Sequence, residues 1–574
     1  MRERITPATL DVHARAIVEH TRLSGSPGEN AAIDHIVESL RAGGVAVEVH
    51  TFETYASDPL SASVSVSGSD FAPQAITVSY SASVTGLEAP LVDVGALDDL
   101  PDLEVGTGER LVLEGAGMGG GPGEGELPDV EGRIALVTGQ PRNVPVAVLE
   151  RLGAVGVVFV NPEERLNELI VTSTWGTPSL LNYHRLPTLP VAEVMWSAGE
   201  VLRDRLARGT VTVRMSTETR TGWKPLRLAV ARIPGPSPDA PYVLLGGHID
   251  GWYHGATDEG ASNAAMVELT RAFHAQREEL RRGLVVAWWP GHSNARYAGS
   301  TWFADRYFDE LRRRAVAYLN VDGIGQRGAK TFGAATTASL AGLARTVVRQ
   351  REAAGIEPFR PGRNSDQAFN GVGLPLLQLY HNRLEEDGGY WWWHTPEDTY
   401  DKIDLDVLKT DTDLYVDALA TLLAAPRLPL DLEAQVAQLG EALRRHEVMS
   451  GERLDLSRAR APLYRLGAAV GALQGALEGA TPGPDLDASL VELHRTIHRV
   501  LYVPLSPWHP DPGVGWTLLP GLVPARILAE EDSTSDRYRF AETSLEREVN
   551  RLVEVLERAT AEAEALAARL GGSR

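Results

Sequence analysis

The middle of the chain alternates short apolar runs with helical stripes, which is typical of an α/β fold. Four apolar runs have the length of buried strands, near residues 242–247, 284–289, 315–321 and 374–379. Apolar residues recur at helical spacing near 261–277, 335–354 and 405–424. Strands that alternate with helices predict a mostly parallel sheet covered by helices.

The flanking regions have other patterns and predict further domains. Helical periodicity is found near 6–19, 27–41, 433–446 and 540–570, and two strands around a helix are predicted near 133–160. A chain of 574 residues is long enough for about three domains. We therefore expect an α/β domain formed by residues 1–85 and 222–425, an inserted β/α domain at 86–221, and a helical domain at 426–574.

Side chains that bind metals follow the predicted strands or begin a predicted helix. They are His248, Asp258, His292, Asp322 and His394. The carboxyl ends of parallel strands meet at one edge of a sheet, where ligands bind. Imidazole and carboxylate groups are ligands of zinc and its neighbours. The pattern favours a metal centre over scattered surface residues.

Four motifs resemble those of the co-catalytic zinc aminopeptidases: GGHIDGW, GATDEGAS, NVDG and HTPEDTYDKID. The branch with glutamate carboxypeptidase II and the transferrin receptor is most similar, along almost the entire chain. The resemblance implies a zinc-exopeptidase-like α/β domain, an inserted protease-associated domain and dimerisation through the helical domain. It also implies one or two divalent ions, zinc first. His248 and Asp322 would hold one ion, His394 the other, with Asp258 bridging and Asp250 orienting His248.

The chain departs from this family at the catalytic segment. The family's Glu-Glu pair, a base and a ligand, is missing from WWPGHSNARYAGST, and Trp393 stands at the position of a family tyrosine. We expect His292 to replace the missing ligand, because it is the strongest metal-binding side chain there. Glu259 is the nearest spare carboxylate and a candidate base. A neutral imidazole in place of a glutamate leaves the centre more positive, which predicts an anionic substrate or a single ion.

Composition narrows the choice of function. The chain has no cysteine, which excludes disulfides, thiolate ligands and cysteine nucleophiles. A net charge of −22 argues against nucleic acid or anionic membrane as a partner. We expect a cytoplasmic protein, because the sequence shows neither a signal peptide nor a membrane span. The glycine-rich segment 115–125 lacks the end of a phosphate-binding motif and predicts a plain loop.

Three functions are compatible with these features. The first is a metal-dependent hydrolase of a small peptide, amide or amino-acid derivative. The second is a lyase or deaminase on the same scaffold, and the third is an inactive scaffold of the transferrin-receptor kind. Trp391–Trp393 would either line a pocket or fill a gap. For several loop residues the sequence leaves open whether they contact substrate or have a surface or packing role. They are Tyr253, His254, Arg296, Tyr297, His381 and Arg383.

Overall fold

A computed structural model describes residues 1–96, 128–362, 366–503, 506–509 and 518–571. The predicted glycine-rich loop at 115–125 lies outside the described residues. The strands are β1 (Ala46–Val66), β2 (Ala75–Thr77), β3 (Val84–Ala96), β4 (Ile134–Thr138), β5 (Gly156–Val160), β6 (Val191–Val194), β7 (Thr212–Ile233), β8 (Tyr242–His248), β9 (Gly283–Trp289), β10 (Ala315–Asn320), β11 (Thr331–Thr336) and β12 (Leu376–Asn382).

Helices precede, alternate with and follow these strands. They are α1 (Pro7–Val18), α2 (Pro27–Ala42), α3 (Asn143–Arg151), α4 (Trp196–Leu206), α5 (Ala261–Ala275), α6 (Ala298–Arg306), α7 (Phe308–Arg314), α8 (Ala341–Arg349), α9 (Leu405–Ala424), α10 (Leu432–Met449), α11 (Ser457–Leu477), α12 (Pro484–Tyr502), α13 (Ala525–Glu530) and α14 (Asp536–Gly571). Thr6 and Ser26 accept hydrogen bonds from the first turns of α1 and α2, which explains where these two helices begin.

The central sheet has the strand order β11-β12-β10-β8-β9-β7. Strand β8 is central and runs parallel to β9 and β10, and β10 runs parallel to β12. Every residue of β8, β9 and β10 is buried, which explains why these strands are apolar runs instead of alternating patterns. Apolar cores lie on both faces of the sheet. The predicted α/β class with a mostly parallel, helix-covered sheet is confirmed.

The sequence missed two strands of this sheet, β7 and β11. We predicted a single helix over 335–354. Strand β11 begins before this stretch and extends into its first residues, and α8 covers only a part of the remainder. Strand β11 is the edge strand and pairs antiparallel with β12. Its short sequence, TFGAAT, has no apolar alternation that would distinguish it from the start of a helix.

A long antiparallel ribbon connects the central sheet to a second sheet in the inserted segment. Strand β7 pairs with β9 through Ala229–Ile233 and with β3 through its other half. Strand β1 pairs with β7 along the length of β1. In the second sheet, β3, β4, β5 and β6 are parallel neighbours, and β2 is antiparallel to β6. The predicted strand-helix-strand unit near 133–160 corresponds to β4, α3 and β5. The domain boundaries themselves stay a prediction.

The C-terminal helices have a separate apolar core. The buried face of α14 includes Leu545, Leu552, Leu556 and Leu566 and packs mainly against α11 and α12 of the same chain. Because α11 and α12 already cover the apolar face of α14, that face does not need a partner chain. The homodimer stays a prediction, and it requires a surface other than this face. None of the helices within the described residues combines the length and apolar character that a bilayer crossing requires.

Candidate metal centre

Three side chains of the predicted centre meet because their strands are parallel neighbours. Strand β8 ends at His248, opposite Trp289 at the end of β9. Strand β10 is aligned so that Asn320 lies opposite Gly246, which brings Asp322 to the level of His248. His292 follows β9 after a turn at Gly291, whose φ is 79°. The carboxyl edge of the sheet therefore gathers these three residues, as expected from the fold class.

A short, wide turn between β8 and α5 presents Asp258 to this edge. The turn spans Ala256–Gly260, and Glu259 has a φ of 94° in the left-handed region, where a non-glycine residue is strained. The backbone N–H groups of Thr257 and Asp258 donate to the Asp398 carboxylate at 3.0 and 2.9 Å. Asp398 is buried and comes from the HTPEDTYDKID motif, so this segment supplies both His394 and the residue that positions Asp258.

Arg22 supports the same turn from the other side. Its guanidinium is fully buried and donates to the carbonyl oxygens of Ile249 at 3.0 Å and Gly255 at 2.9 Å, and also to that of His254. These carbonyls belong to the irregular loop after β8, and the arginine helps to satisfy them, together with the Gly260 N–H that donates to Gly255 at 2.9 Å.

The carboxylates around His248 form a donor set that fits a divalent metal. Ligand atoms of His248, Asp258 and Asp322 lie within 4.8 Å of one another. His248 Nε2 is 3.8 Å from carboxylate oxygens of both Asp258 and Glu259, and His394 Nε2 is 3.3 Å from Asp258 Oδ2. Borderline imidazole and hard carboxylate ligands at this spacing match zinc and neighbouring ions.

The electrostatics of these groups also favour a cation. Burial raises the pKa of Asp258, but the imidazoles of His394, His248 and His292 outweigh it and hold the pKa below its usual value. Burial raises the pKa of Glu259 well above its usual value, and the adjacent Asp322 raises it further. Buried carboxylates crowded together repel one another, and a bound divalent ion would relieve that repulsion.

A residue of the inserted segment, Glu168, positions the second histidine, His394. His394 has a φ of 59° and its Nδ1 lies 2.6 Å from the Glu168 carbonyl oxygen. This contact fixes the ring so that Nε2 faces Asp258. The Trp393 ring stacks on His394 with centroids 3.6 Å apart, and Asn167 Nδ2 donates to the Trp393 carbonyl oxygen at 2.6 Å.

His292 lies beside His248 but has its own partner. The two rings stack with centroids 3.7 Å apart, and His292 Nδ1 is 2.9 Å from Asp366 Oδ2. Asp366 is fully buried and its Oδ1 also accepts from Ser300 Oγ at 2.7 Å. Burial lowers the pKa of His292, but the hydrogen bond and charge of Asp366 outweigh it and raise the pKa to about 10. With Nδ1 engaged, Nε2 is the ring atom left to carry a proton or, once that proton is lost, to bind a metal.

The resemblance implies that the acidic side chain of Asp250 orients His248. In the structure the main-chain carbonyl of Asp250 is the group that lies against the His248 ring. The main-chain carbonyl of Asp250 lies 2.8 Å from His248 Nδ1, whereas its carboxylate is 3.8 Å away. The carboxylate instead accepts from Ser24 Oγ at 2.8 Å and from the N–H groups of His292 and Ser293 at 3.1 and 2.8 Å. Asp250 thus ties together the loops after β8 and β9.

The three consecutive tryptophans have three different surroundings. Trp391 is 40% exposed and lines a cleft of about 830 Å³ between the inserted segment and the loop after β12. Trp392 is buried and its Nε1 donates to Thr257 Oγ1 at 2.8 Å. Trp393 contacts His394, as described above. The run therefore both lines an opening and fills the gap between the sheet and the inserted segment.

The other loop residues divide into neighbours of the site and packing residues. Tyr297 packs edge-on against His292 with centroids 4.7 Å apart, and the Arg296 guanidinium lies over Tyr297. Tyr253 lines the cleft. His381 pairs with Asp411 at 2.7 Å, His254 Nδ1 lies 2.9 Å from the Val18 carbonyl, and Arg383 bonds backbone carbonyls, so these three act in packing.

Three supporting residues were missed from the sequence: Arg22, Asp366 and Asp398. Asp366 lies ahead of β12, whereas the predicted ligands follow a strand or begin a helix, so its position gave no such signal. Asp398 belongs to the HTPEDTYDKID motif, from which the sequence predicted only His394. Arg22 has no local signal, because its function is defined entirely by carbonyl groups from a distant loop.

Comparisons with known proteins support the fold. Residues 229–419 match the peptidase family M28 profile. "Probable glutamate carboxypeptidase VP8" of Zea mays is 25% identical over 521 residues, covering 76% of this chain and 69% of that protein. "Aminopeptidase NAALADL1" of Mus musculus is 33% identical over 116 residues, covering 20% of this chain and 15% of that protein. The structure of an aminopeptidase from Aneurinibacillus sp. strain AM-1 covers 74% of this chain and 95% of its own, with a TM-score of 0.55 and 20% identity.

Proposed function

We propose, from the match of residues 229–419 to peptidase family M28, that the chain is a metal-dependent hydrolase that cleaves an amide bond in a small anionic peptide or amino-acid derivative. The observation that carries this proposal is the donor set of His248, Asp258 and Asp322, whose ligand atoms lie within 4.8 Å. His394 would complete the set through Asp258. A divalent ion, zinc first, supplies Lewis acidity and activates water for attack on an amide carbonyl.

His292 is the residue that we propose for the task of the missing glutamate. The Asp366 carboxylate accepts from Nδ1 and orients the ring, which leaves Nε2 to bind metal or to transfer a proton during catalysis. Glu259 is the rival base. Its Oε1, however, accepts from the Gly323 N–H at 3.0 Å, so it is already engaged in holding the loop after β10.

Two arginines next to the site favour an anionic substrate. Arg142, from the inserted segment, lies 6.0 Å from the Trp393 ring, and Arg296 lies 5.4 Å from the Tyr297 ring. Burial lowers the pKa of Arg142, and the like charge of Arg296 lowers it further. Two guanidiniums close enough to repel each other are a suitable binding place for a substrate carboxylate. The acidic substrates named in "glutamate carboxypeptidase" relatives fit this arrangement.

The inserted segment takes part in the proposed site in two ways: it contacts His394, and it supplies Arg142. We propose that it is a protease-associated domain whose role is to complete the substrate pocket. Its Glu168 carbonyl orients His394, and its Arg142 faces Trp393. A hydrolase built in this way needs both units for activity.

Metal analysis combined with a substrate screen tests the proposal. After metal-replete purification we expect one or two equivalents of a first-row transition metal by elemental analysis. We expect hydrolysis of N-acylated or dipeptide substrates with a free carboxylate, and slower hydrolysis of their neutral amides. Bound metal with elimination or deamination products would instead show the lyase or deaminase alternative, and absence of metal would show an inactive scaffold.

A further inference from the structure

A cavity of about 320 Å³ lies where the M28 domain meets the C-terminal helices, away from the metal centre. Its walls come from α7, the start of β10 and the outer face of α12. The polar residues of these walls are Arg312, Arg313, Ser489, Glu492 and Arg495. The volume is sufficient for a compact anion together with its hydrating water.

Arg495 is the buried side chain of this cavity. It is only 2% exposed, and its Nε donates to the Val372 carbonyl oxygen at 2.7 Å while Nη1 pairs with Glu492. Its Nη2 has no hydrogen-bond partner among the described residues, although it is buried. A buried charged donor without an acceptor is costly. A ligand with an acceptor oxygen would remove that cost.

The charges around the cavity are positive, against the net charge of −22 for the chain. Arg312 and Arg313 share the single carboxylate of Asp309, and Glu492 is half exposed to solvent. Burial lowers the pKa of Arg495, Glu492 opposes this effect, and Arg312 lowers it again. These guanidiniums therefore repel one another, and a shared anion would stabilise them.

Arg495 also holds a loop that leads to the metal centre. Residues 366–374 begin at Asp366, the partner of His292, and end just before β12. Besides the bond from Arg495 to Val372, Arg499 Nε donates to the Gly371 carbonyl oxygen at 3.0 Å and His498 Nε2 lies 3.0 Å from Asn370 Oδ1. A Cβ on Gly373 would lie 2.4 Å from Arg495 Cγ, so glycine permits this close approach.

We propose that this cavity binds a small phosphate-class oxyanion, and that the bound anion steadies the loop 366–374 through Arg495. A tetrahedral, doubly charged anion offers oxygens in several directions, which suits guanidiniums that approach from both α7 and α12. A carboxylate offers acceptors along one edge only. Binding of the anion does not rest on the proposed hydrolase activity, and its effect on the loop is measurable without a substrate.

Calorimetric titration of the full metal-loaded chain with inorganic phosphate, at constant ionic strength set with NaCl, tests the binding. We expect saturable binding that weakens at least tenfold in Arg495→Lys and in the double variant Arg312→Gln/Arg313→Gln, whose two residues are exposed and can be changed without harming the fold. Arg277→Gln removes an exposed arginine elsewhere and should leave phosphate affinity unchanged.

Two outcomes would overturn the site. One is phosphate binding that persists at full affinity in both arginine variants. The other is phosphate binding that is lost in Asp258→Ala and retained in the arginine variants, because this would place the anion at the metal centre. A parallel titration with glycerol phosphate separates the two sources: tighter binding of the ester identifies an organic phosphate as the ligand, and tighter binding of the free ion identifies inorganic phosphate.

Hydrogen–deuterium exchange tests the link to the loop. Saturating phosphate should slow amide exchange of peptides that cover 366–374 in the parent chain and leave it unchanged in Arg495→Lys. Exchange that phosphate does not alter in the parent chain, despite calorimetric binding, would show that the anion site is not coupled to the Asp366 loop.

Discussion

His292 Nδ1 lies 2.9 Å from Asp366 Oδ2, across a sequence separation of 74 residues. His292 lies in the segment where the resemblance to the co-catalytic zinc aminopeptidases implies a glutamate pair, and Asp366 is held in turn by Ser300. A carboxylate on Nδ1 orients the ring and leaves Nε2 available for chemistry.

We expect His292→Ala to lower kcat/KM by about 100-fold or more, the usual range for a lost proton-transfer group. Asp366→Asn should have a smaller effect in the same direction, because the ring remains but is no longer held by a charge. Steady-state kinetics of the two single variants and the double variant measure this coupling. The double variant should be no worse than His292→Ala, whereas additive losses would contradict action through one group.

Metal content of the same His292→Ala protein separates its two roles. Reduced metal by elemental analysis, with an unchanged thermal unfolding curve, would show that Nε2 is a ligand. Full metal content with lost turnover would show that Nε2 transfers the proton. Full metal content with parental turnover would contradict both roles.

Asp258→Ala should be the most damaging single change at the centre. Asp258 faces both His248 and His394, so its removal takes away a contact that the two proposed positions share. We expect metal content to fall and activity to drop by orders of magnitude. Asp70→Asn changes an exposed carboxylate in a distant turn and should retain both. Retention of metal by Asp258→Ala would contradict the bridging assignment.

Arg142→Gln should weaken binding of an anionic substrate selectively. We expect KM to rise about tenfold, equal to about 1.4 kcal/mol, with little change in kcat, because the guanidinium binds a part of the substrate that does not react. The matched neutral amide should show no change. The control is Arg133→Gln, an arginine of the same segment paired with Asp129. Equal losses for the charged and neutral substrates would indicate a purely structural role.

His494 should make the C-terminal helices sensitive to acid. The residue is fully buried in α12, and neither ring nitrogen has a hydrogen-bond partner among the described residues. Burial lowers the pKa of His494 well below its usual value, and the charges of His498 and Arg495 lower it further. The ring stays neutral in the folded protein, whereas the unfolded chain binds a proton below about pH 6.5.

The unfolded state therefore binds more protons below that pH, and the free energy of unfolding falls as pH decreases, by about 1.4 kcal/mol per unit for one such group. Urea unfolding at pH 7.5, 6.5 and 5.5 should show a shallower decline in His494→Leu than in the parent chain. His20→Gln, at an exposed histidine, should not change the slope. Parallel slopes for His494→Leu and the parent would contradict the prediction.

The predicted homodimer requires a surface other than the covered face of α14. Tyr464 on α11 and Phe540 on α14 are 80% and 71% exposed, which is unusual for large apolar side chains. We expect light scattering to give twice 62.0 kDa for the intact chain and 62.0 kDa for Tyr464→Glu/Phe540→Glu. Leu180→Glu, which is 90% exposed in the inserted segment, should remain dimeric. A monomer mass for the parent chain would exclude the dimer.

The sequence by itself determined the fold class and the positions of His248 and Asp322. Strands buried on both faces must be apolar throughout, so β8, β9 and β10 were visible as local runs. The residues that follow such strands reach the same edge of the sheet whatever the details of packing. The order of β8, β9, β10 and β12 along the chain was likewise encoded in short-range patterns, whereas β7 and the edge strand β11 were not predicted.

Only the tertiary structure decided how the ligands are held and which groups surround them. Asp366 reaches His292, Asp398 supports the Asp258 turn, Glu168 orients His394, and Arg22 satisfies the carbonyls of a loop. Each of these contacts joins segments that are far apart in the chain, and a single polar residue carries no periodicity. Hydrogen bonds of this kind depend on the register and approach of packed elements, which local sequence patterns do not encode.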